Sequence, residues 1–186
     1  MPNEASGAKL RFVLKAWPGV FILTVALSFL TELVGGWFGF QLENQTAVEI
    51  VRNARGKFLA ILIVQILIAA PIIEELIFRG LLFKLPAKLT AAKLPRLKTQ
   101  IAVAGAIQSA VLFSFIHYIN MNVSAVTGAF SVDGFRALDN AFIALFFFGL
   151  AQCWIYFKTR HIWCAMLNHA LFNLTNLIFV LIDISV

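Results

Sequence analysis

Charge is what this sequence has least of. Only 13% of its 186 residues are charged and 61% are hydrophobic, against about 25% and roughly 45–50% in an ordinary globular domain. Disorder is excluded, because a disordered chain has few aromatics and much charge, whereas this one carries 19 Phe. A compact soluble domain is excluded too, since a chain of this length buries only about 70% of its unfolded surface. Two cysteines are too few for a disulfide scaffold. Cys153 and Cys164 sit in apolar runs and read as buried, reduced thiols. The net charge of +6 comes with no Gly-rich phosphate loop, zinc-finger spacing or nucleic-acid-binding motif, so nucleic acid is not an expected partner. What remains is a bilayer, with membrane lipids as the surrounding solvent.

A membrane-spanning helix needs about 20 apolar residues, and five runs qualify: Ala16–Phe40, Phe58–Phe83, Ile101–Ile119, Ala141–Phe157 and Ile162–Ile182. The expected fold class is all-α, a polytopic membrane protein of five transmembrane helices. Its division is an N-terminal anchor helix and outer loop over residues 1–57 and a four-helix core over 58–186. Lys9, Arg11 and Lys15 precede the first run, as in a signal peptide. That run exceeds the usual h-region of about 7–15 residues, and no small-x-small cleavage site follows, so a retained anchor is expected.

The cations orient the chain. With the N-terminus inside, the cytoplasmic segments hold Lys9, Arg11, Lys15, Lys84, Lys88, Lys93, Arg96, Lys98, Lys158 and Arg160, and the outer ones only Arg52, Arg55, Lys57 and Arg136. The positive-inside rule then places the C-terminus outside, and the reading is a bacterial cell membrane. Leu85, Leu89, Leu94 and Leu97 among the clustered cations suggest a segment lying in the interface. Met121–Asn140 reads as an outer loop or a lid.

Ionisable groups within the spans cost about 2.5–3.5 kcal/mol each on insertion scales, so each needs a reason. The second run contains Pro71-Ile72-Ile73-Glu74-Glu75-Leu76-Ile77-Phe78-Arg79. Glu75 and Arg79, four apart, share a helix face and can pair. Glu74 faces elsewhere and has no local cation. Pro71 removes a donor, leaving the carbonyl of Leu67 without its α-helical partner. His117 closes the third run, and His169 and Asn173 share a face of the fifth. A carboxylate desolvated by the bilayer is a strong general base. A neighbouring His can hold the water, and a second His with an Asn amide can donate to an oxyanion. That chemistry is hydrolytic and needs no Ser or Cys nucleophile.

Glu74-Glu75-xxx-Arg79, Phe113-xxx-His117 and His169-xxx-Asn173, in this order on successive runs, resemble the three motifs of the CPBP family. These are the CAAX proteases, bacteriocin-processing and abortive-infection proteins, intramembrane endopeptidases of glutamic type. The resemblance covers roughly Leu67–Leu177. It implies Glu74 as the base, His117 positioning the water, His169 and Asn173 at the oxyanion, Glu75 and Arg79 as structural support, and Phe113 as a matching aromatic. It implies a peptide or protein substrate with a membrane-embedded or lipidated segment. Thr159-Arg160-His161-Ile162 stands where the family often has Thr-Gly-Ser-Leu.

Two His and a Glu are a donor set that zinc accepts. No His-Glu-x-x-His helix exists, no Cys lies in the motifs, and Arg79 is near, so no cofactor is expected and metal-independent activation is favoured. Two rival readings stand beside the peptidase. One is a non-proteolytic immunity or scaffold protein that retains the fold. The other is a proton or solute conduit, disfavoured because no repeated halves are present. Rise arithmetic adds a condition. His117 lies about 24 Å above Ile101 and Glu74 about 14 Å above Phe83, so the two meet only if the third run begins below the second one's end.

Overall fold

The computed structural model describes residues 2–39, 46–85, 88, 93–123, 130–135 and 141–185. Among the described residues five helices are long and apolar enough to cross a membrane: Ser6–Trp37, Gly56–Lys84, Pro95–Ile116, Phe142–Thr159 and Ile162–Ile182, hereafter spans 1 to 5. The architecture is all-α and polytopic. Large apolar side chains such as Ile61, Ile68, Ile73, Leu81, Val103 and Ile182 lie on the outside. Hydrocarbon solvates such a surface and water does not.

Several helix ends depart from the apolar runs, and two departures have a clear cause. The first helix begins at Pro2 rather than Ala16. The stretch ahead of Ala16 is rich in good helix formers, and hydropathy marks what lipid covers, not where backbone hydrogen bonding stops. The third helix ends at Ile116, before Ile119. Ile119 instead opens a two-stranded antiparallel hairpin, β1 Ile119–Val123 with β2 Phe130–Phe135, in the stretch expected to be loop or lid. Met121 stands opposite Val132 and Val123 opposite Phe130. Ile119, Met121 and Val123 alternate with Asn120 and Asn122, a period-two pattern hidden among turn-forming residues. The ladder is irregular between Ile119 and Met121. On the opposing strand Gly134 takes φ +104°, which a residue without Cβ adopts freely. Of the residues expected in the interface, Leu85, Leu94 and Leu97 are exposed, while Leu89 lies outside the described residues.

Span 1 leans on spans 4 and 5, with Phe12 on Trp154 at 5.2 Å and Phe21 on Phe172 at 5.9 Å between ring centroids. Spans 2 and 3 are tied by Ser109 Oγ donating to the Phe78 carbonyl at 2.8 Å. The Phe83 ring reaches to 3.3 Å from where a Cβ on Gly105 would stand, seven residues into the helix Lys98–Ile116. The first two turns of that helix therefore lie beyond the level of Phe83, which meets the rise condition and brings His117 down to Glu74.

Spans 3 and 4 meet at Gly149, where an added Cβ would sit 2.9 Å from Ala110 Cα and 3.1 Å from its Cβ. The neighbour there is backbone and cannot swing away. Gly149→Ala is therefore expected to lower stability by about 1–3 kcal/mol, as overpacking does. Thermal unfolding in detergent measures it, and an unchanged midpoint would contradict this close approach.

Candidate active site

Span 2 changes helical register three times, so that a π-helical stretch lies on each side of the glutamates. It runs α-helical over Gly56–Val64, π-helical over Gln65–Ala69, α-helical over Ala70–Glu75 and π-helical again over Leu76–Lys84. Such widened turns recur at functional sites. Ala70 N–H bonds to the Gln65 carbonyl, five residues back. In that register the residue due to serve Ile66 is Pro71, which has no N–H. Asn173 of span 5 supplies the missing donor, its Nδ2 lying 2.8 Å from the Ile66 carbonyl. The carbonyl rescued by a side chain is thus that of Ile66. An ideal α-helix would have left Leu67 short instead.

Glu75 and Arg79 are both fully buried, with Arg79 Nε 3.1 Å from Glu75 Oε2. Arg79 Nη2 donates to the Gly149 carbonyl at 3.1 Å, and its guanidinium carbon lies 4.6 Å from the centre of the Phe113 ring. The other carboxylate oxygen, Oε1, is 2.9 Å from His169 Nδ1. A carboxylate paired with Arg79 is ionised and only accepts, so Nδ1 carries a proton and the ring is fixed with Nε2 pointing the other way. Glu75 therefore joins Arg79 to His169, a link the sequence spacing does not show.

Glu74 points into the space between spans 2, 3 and 5. Its Oε2 lies 3.8 Å from His169 Nε2 and 4.0 Å from His117 Nε2. These separations are too long for direct hydrogen bonds and suit a shared small molecule such as water. His117 Nδ1 is 2.7 Å from the Phe113 carbonyl, which only accepts, so in the neutral ring Nε2 is an acceptor facing Glu74. Glu74 is 25% exposed and His117 31%, against 5% for His169. The site is open beside the first two and closed behind the third. Phe113 holds both imidazoles, its ring centre 4.7 Å from His117 and 6.0 Å from His169.

Glu74, His117 and His169 come together, with Glu75, Arg79 and Phe113 around them. Asn173 lies one turn beyond His169, and its Nδ2 donates to the Ile66 carbonyl rather than to the other three. Among the described residues no group of three His, Cys, Asp or Glu side chains is arranged to hold a metal ion. Both cysteines are free and buried. Gln152 and Asn168, which no motif singles out, are fully buried, and among the described residues neither amide has a hydrogen-bond partner. Buried amides of this kind are commonly served by ordered water. The available signals were the position of Gln152 within an apolar run and that of Asn168 beside His169.

Residues 56–175, well over half of the chain, match the family described as type II CAAX prenyl endopeptidase, Rce1-like. The chain belongs to this family. As an Rce1-like protein it is an integral membrane protein of the CAAX-protease type, a class of intramembrane endopeptidases that act on protein substrates. No curated protein and no solved structure matches the chain significantly. All the converging residues of this Rce1-like chain lie inside the matched stretch, and span 1 lies outside it. Among the described residues Arg160 is the non-glycine residue with positive φ, 58°, where glycine would sit without strain. Its guanidinium carbon lies 4.4 Å from the centre of the Phe157 ring, a contact that offsets part of that strain.

Proposed function

We propose that this Rce1-like protein is an intramembrane endopeptidase in which Glu74 activates a water without a metal ion. The observation that carries the reading is the convergence of His117 Nε2 and His169 Nε2 on Glu74 Oε2, at 4.0 and 3.8 Å. A water held there donates one hydrogen to Glu74 and the other to His117 Nε2, leaving a lone pair for the scissile carbonyl. Glu74 takes the proton as the oxygen adds, then passes it to the departing amine as the C–N bond breaks. His169, held by Glu75 on Nδ1, presents Nε2 to the oxyanion and stabilises it when that nitrogen carries a proton. The second hydrogen of Asn173 Nδ2 serves the same oxygen, the first being held by Ile66. The substrate is a peptide or protein with a membrane-embedded or lipidated segment, which brings its scissile bond to this depth.

Comparing peptide termini in membranes with and without the protein, by mass spectrometry, tests this reading. New termini are expected only with the intact chain, and identical sets would overturn it. The orientation proposed from the cations, with the N-terminus cytoplasmic, has its own check. A cysteine at Lys93 is expected to be labelled only from the cytoplasmic side, and one at Asp133 only from outside. The reverse pattern inverts the topology.

A further inference from the structure

Spans 1 and 4 do not close against each other along their whole length. Between them runs a cleft of about 490 Å³, lined by Lys15, Gly19 and Leu23 on one side and Phe147, Ala151 and Trp154 on the other. The small residues open it: a Cβ on Gly19 would find no atom within 4 Å. The two helices run in opposite directions here. Lys15 to Leu23 climbs about 12 Å and Trp154 to Phe147 about 10 Å, so Lys15 and Trp154 share one end and the rest of the cleft is apolar. That end is close to the membrane surface, because span 4 stops at Thr159, five residues or about 7.5 Å beyond Trp154. A lysine at this depth lays its methylenes along the cleft and its ammonium at the headgroups. Trp163, one residue into span 5, lies at the same end, as interfacial aromatics do.

Charge selects the occupant. Among the described residues, Lys15 forms no ion pair, no acidic side chain lines the cleft, and Arg11 lies one turn nearer the surface. We propose that this cleft binds one anionic phospholipid from the leaflet at the basic end of the bundle, with the headgroup phosphate on Lys15 and one acyl chain between Gly19 and Ala151. The lining of the cleft includes neither Phe148, which touches His169 at 5.0 Å between ring centroids, nor any residue of the proposed catalytic set. Lipid binding there is therefore separate from the proposed catalysis.

Native mass spectrometry on the full chain in detergent tests this, offering phosphatidylglycerol and phosphatidylcholine of matched chains in equal amounts. One phosphatidylglycerol is expected to be retained, about fivefold in preference to phosphatidylcholine, the effect of one cation at a membrane surface. Lys15→Gln, an exposed change that leaves the fold intact, is expected to remove the preference. Gly19→Leu is expected to remove the bound lipid with Lys15 still present, and Ala151→Leu fills the cleft from the other side should the first variant fail to fold. Equal retention of both lipids by the unaltered chain overturns the proposal. So does phosphatidylglycerol retained undiminished in a filled cleft, stabilisation by inorganic phosphate alone, or a second copy of the chain recovered in place of the lipid.

Discussion

Glu74→Gln is expected to yield a folded, lipid-embedded protein whose turnover falls by about 10²–10⁴, the span that general-base catalysis contributes. Glutamine keeps the length and shape of the side chain and can still hold a water by hydrogen bonding. It cannot take the proton that makes the water a nucleophile. Little stability is at stake, because Glu74 is one-quarter exposed and its nearest titratable neighbours stand 3.8 and 4.0 Å away. A change within about 1 kcal/mol is expected, read from thermal unfolding in detergent beside turnover on a substrate found from the membrane termini. Near-normal turnover in this variant would sink the proposed mechanism.

The parts of this site that were legible in the sequence are those set by local spacing or by the price of charge in lipid. Glu75 and Arg79 sit four apart on one helix, and their pairing follows from helix geometry alone. Glu74, His117 and His169 stood out because an ionisable group in an apolar run demands a reason. The remainder depends on contacts between distant segments. Asn173 resembled a free amide donor, yet one hydrogen is committed to Ile66, 107 positions away. That need arises only because the π-helical turn moves the orphaned carbonyl by one residue, a register that apolar periodicity does not encode. The hairpin was concealed for another reason. Its alternating apolar residues number three on the first strand, too few to stand out from a polar stretch.

The link from Glu75 to His169 changes how the two adjacent glutamates divide their work. Without it, Glu75 is only the anion for Arg79. With it, Glu75 also fixes which nitrogen of His169 faces Glu74. Glu75→Gln is expected to lower stability by about 3–5 kcal/mol, because Arg79 is then a fully buried cation with no anion. The Gly149 carbonyl and the Phe113 face remain, but neither carries a compensating charge. The glutamine oxygen can still accept from His169 Nδ1, so the ring keeps its orientation. Turnover per folded molecule is therefore expected to fall far less than in Glu74→Gln, by about tenfold, equivalent to about 1.4 kcal/mol of transition-state stabilisation. Glu75→Gln combined with Arg79→Met separates charge from packing, since it removes both ions together. Most of the lost stability is expected to return, because a buried ion pair replaced by neutral groups is often close to neutral in effect. Thermal unfolding and turnover measured on Glu74→Gln, Glu75→Gln and the double variant decide the matter. If Glu75→Gln is as stable as Glu74→Gln, Arg79 does not depend on Glu75. If the double variant is no better than the single, the loss lies in the contact with His169 rather than in the unpaired charge.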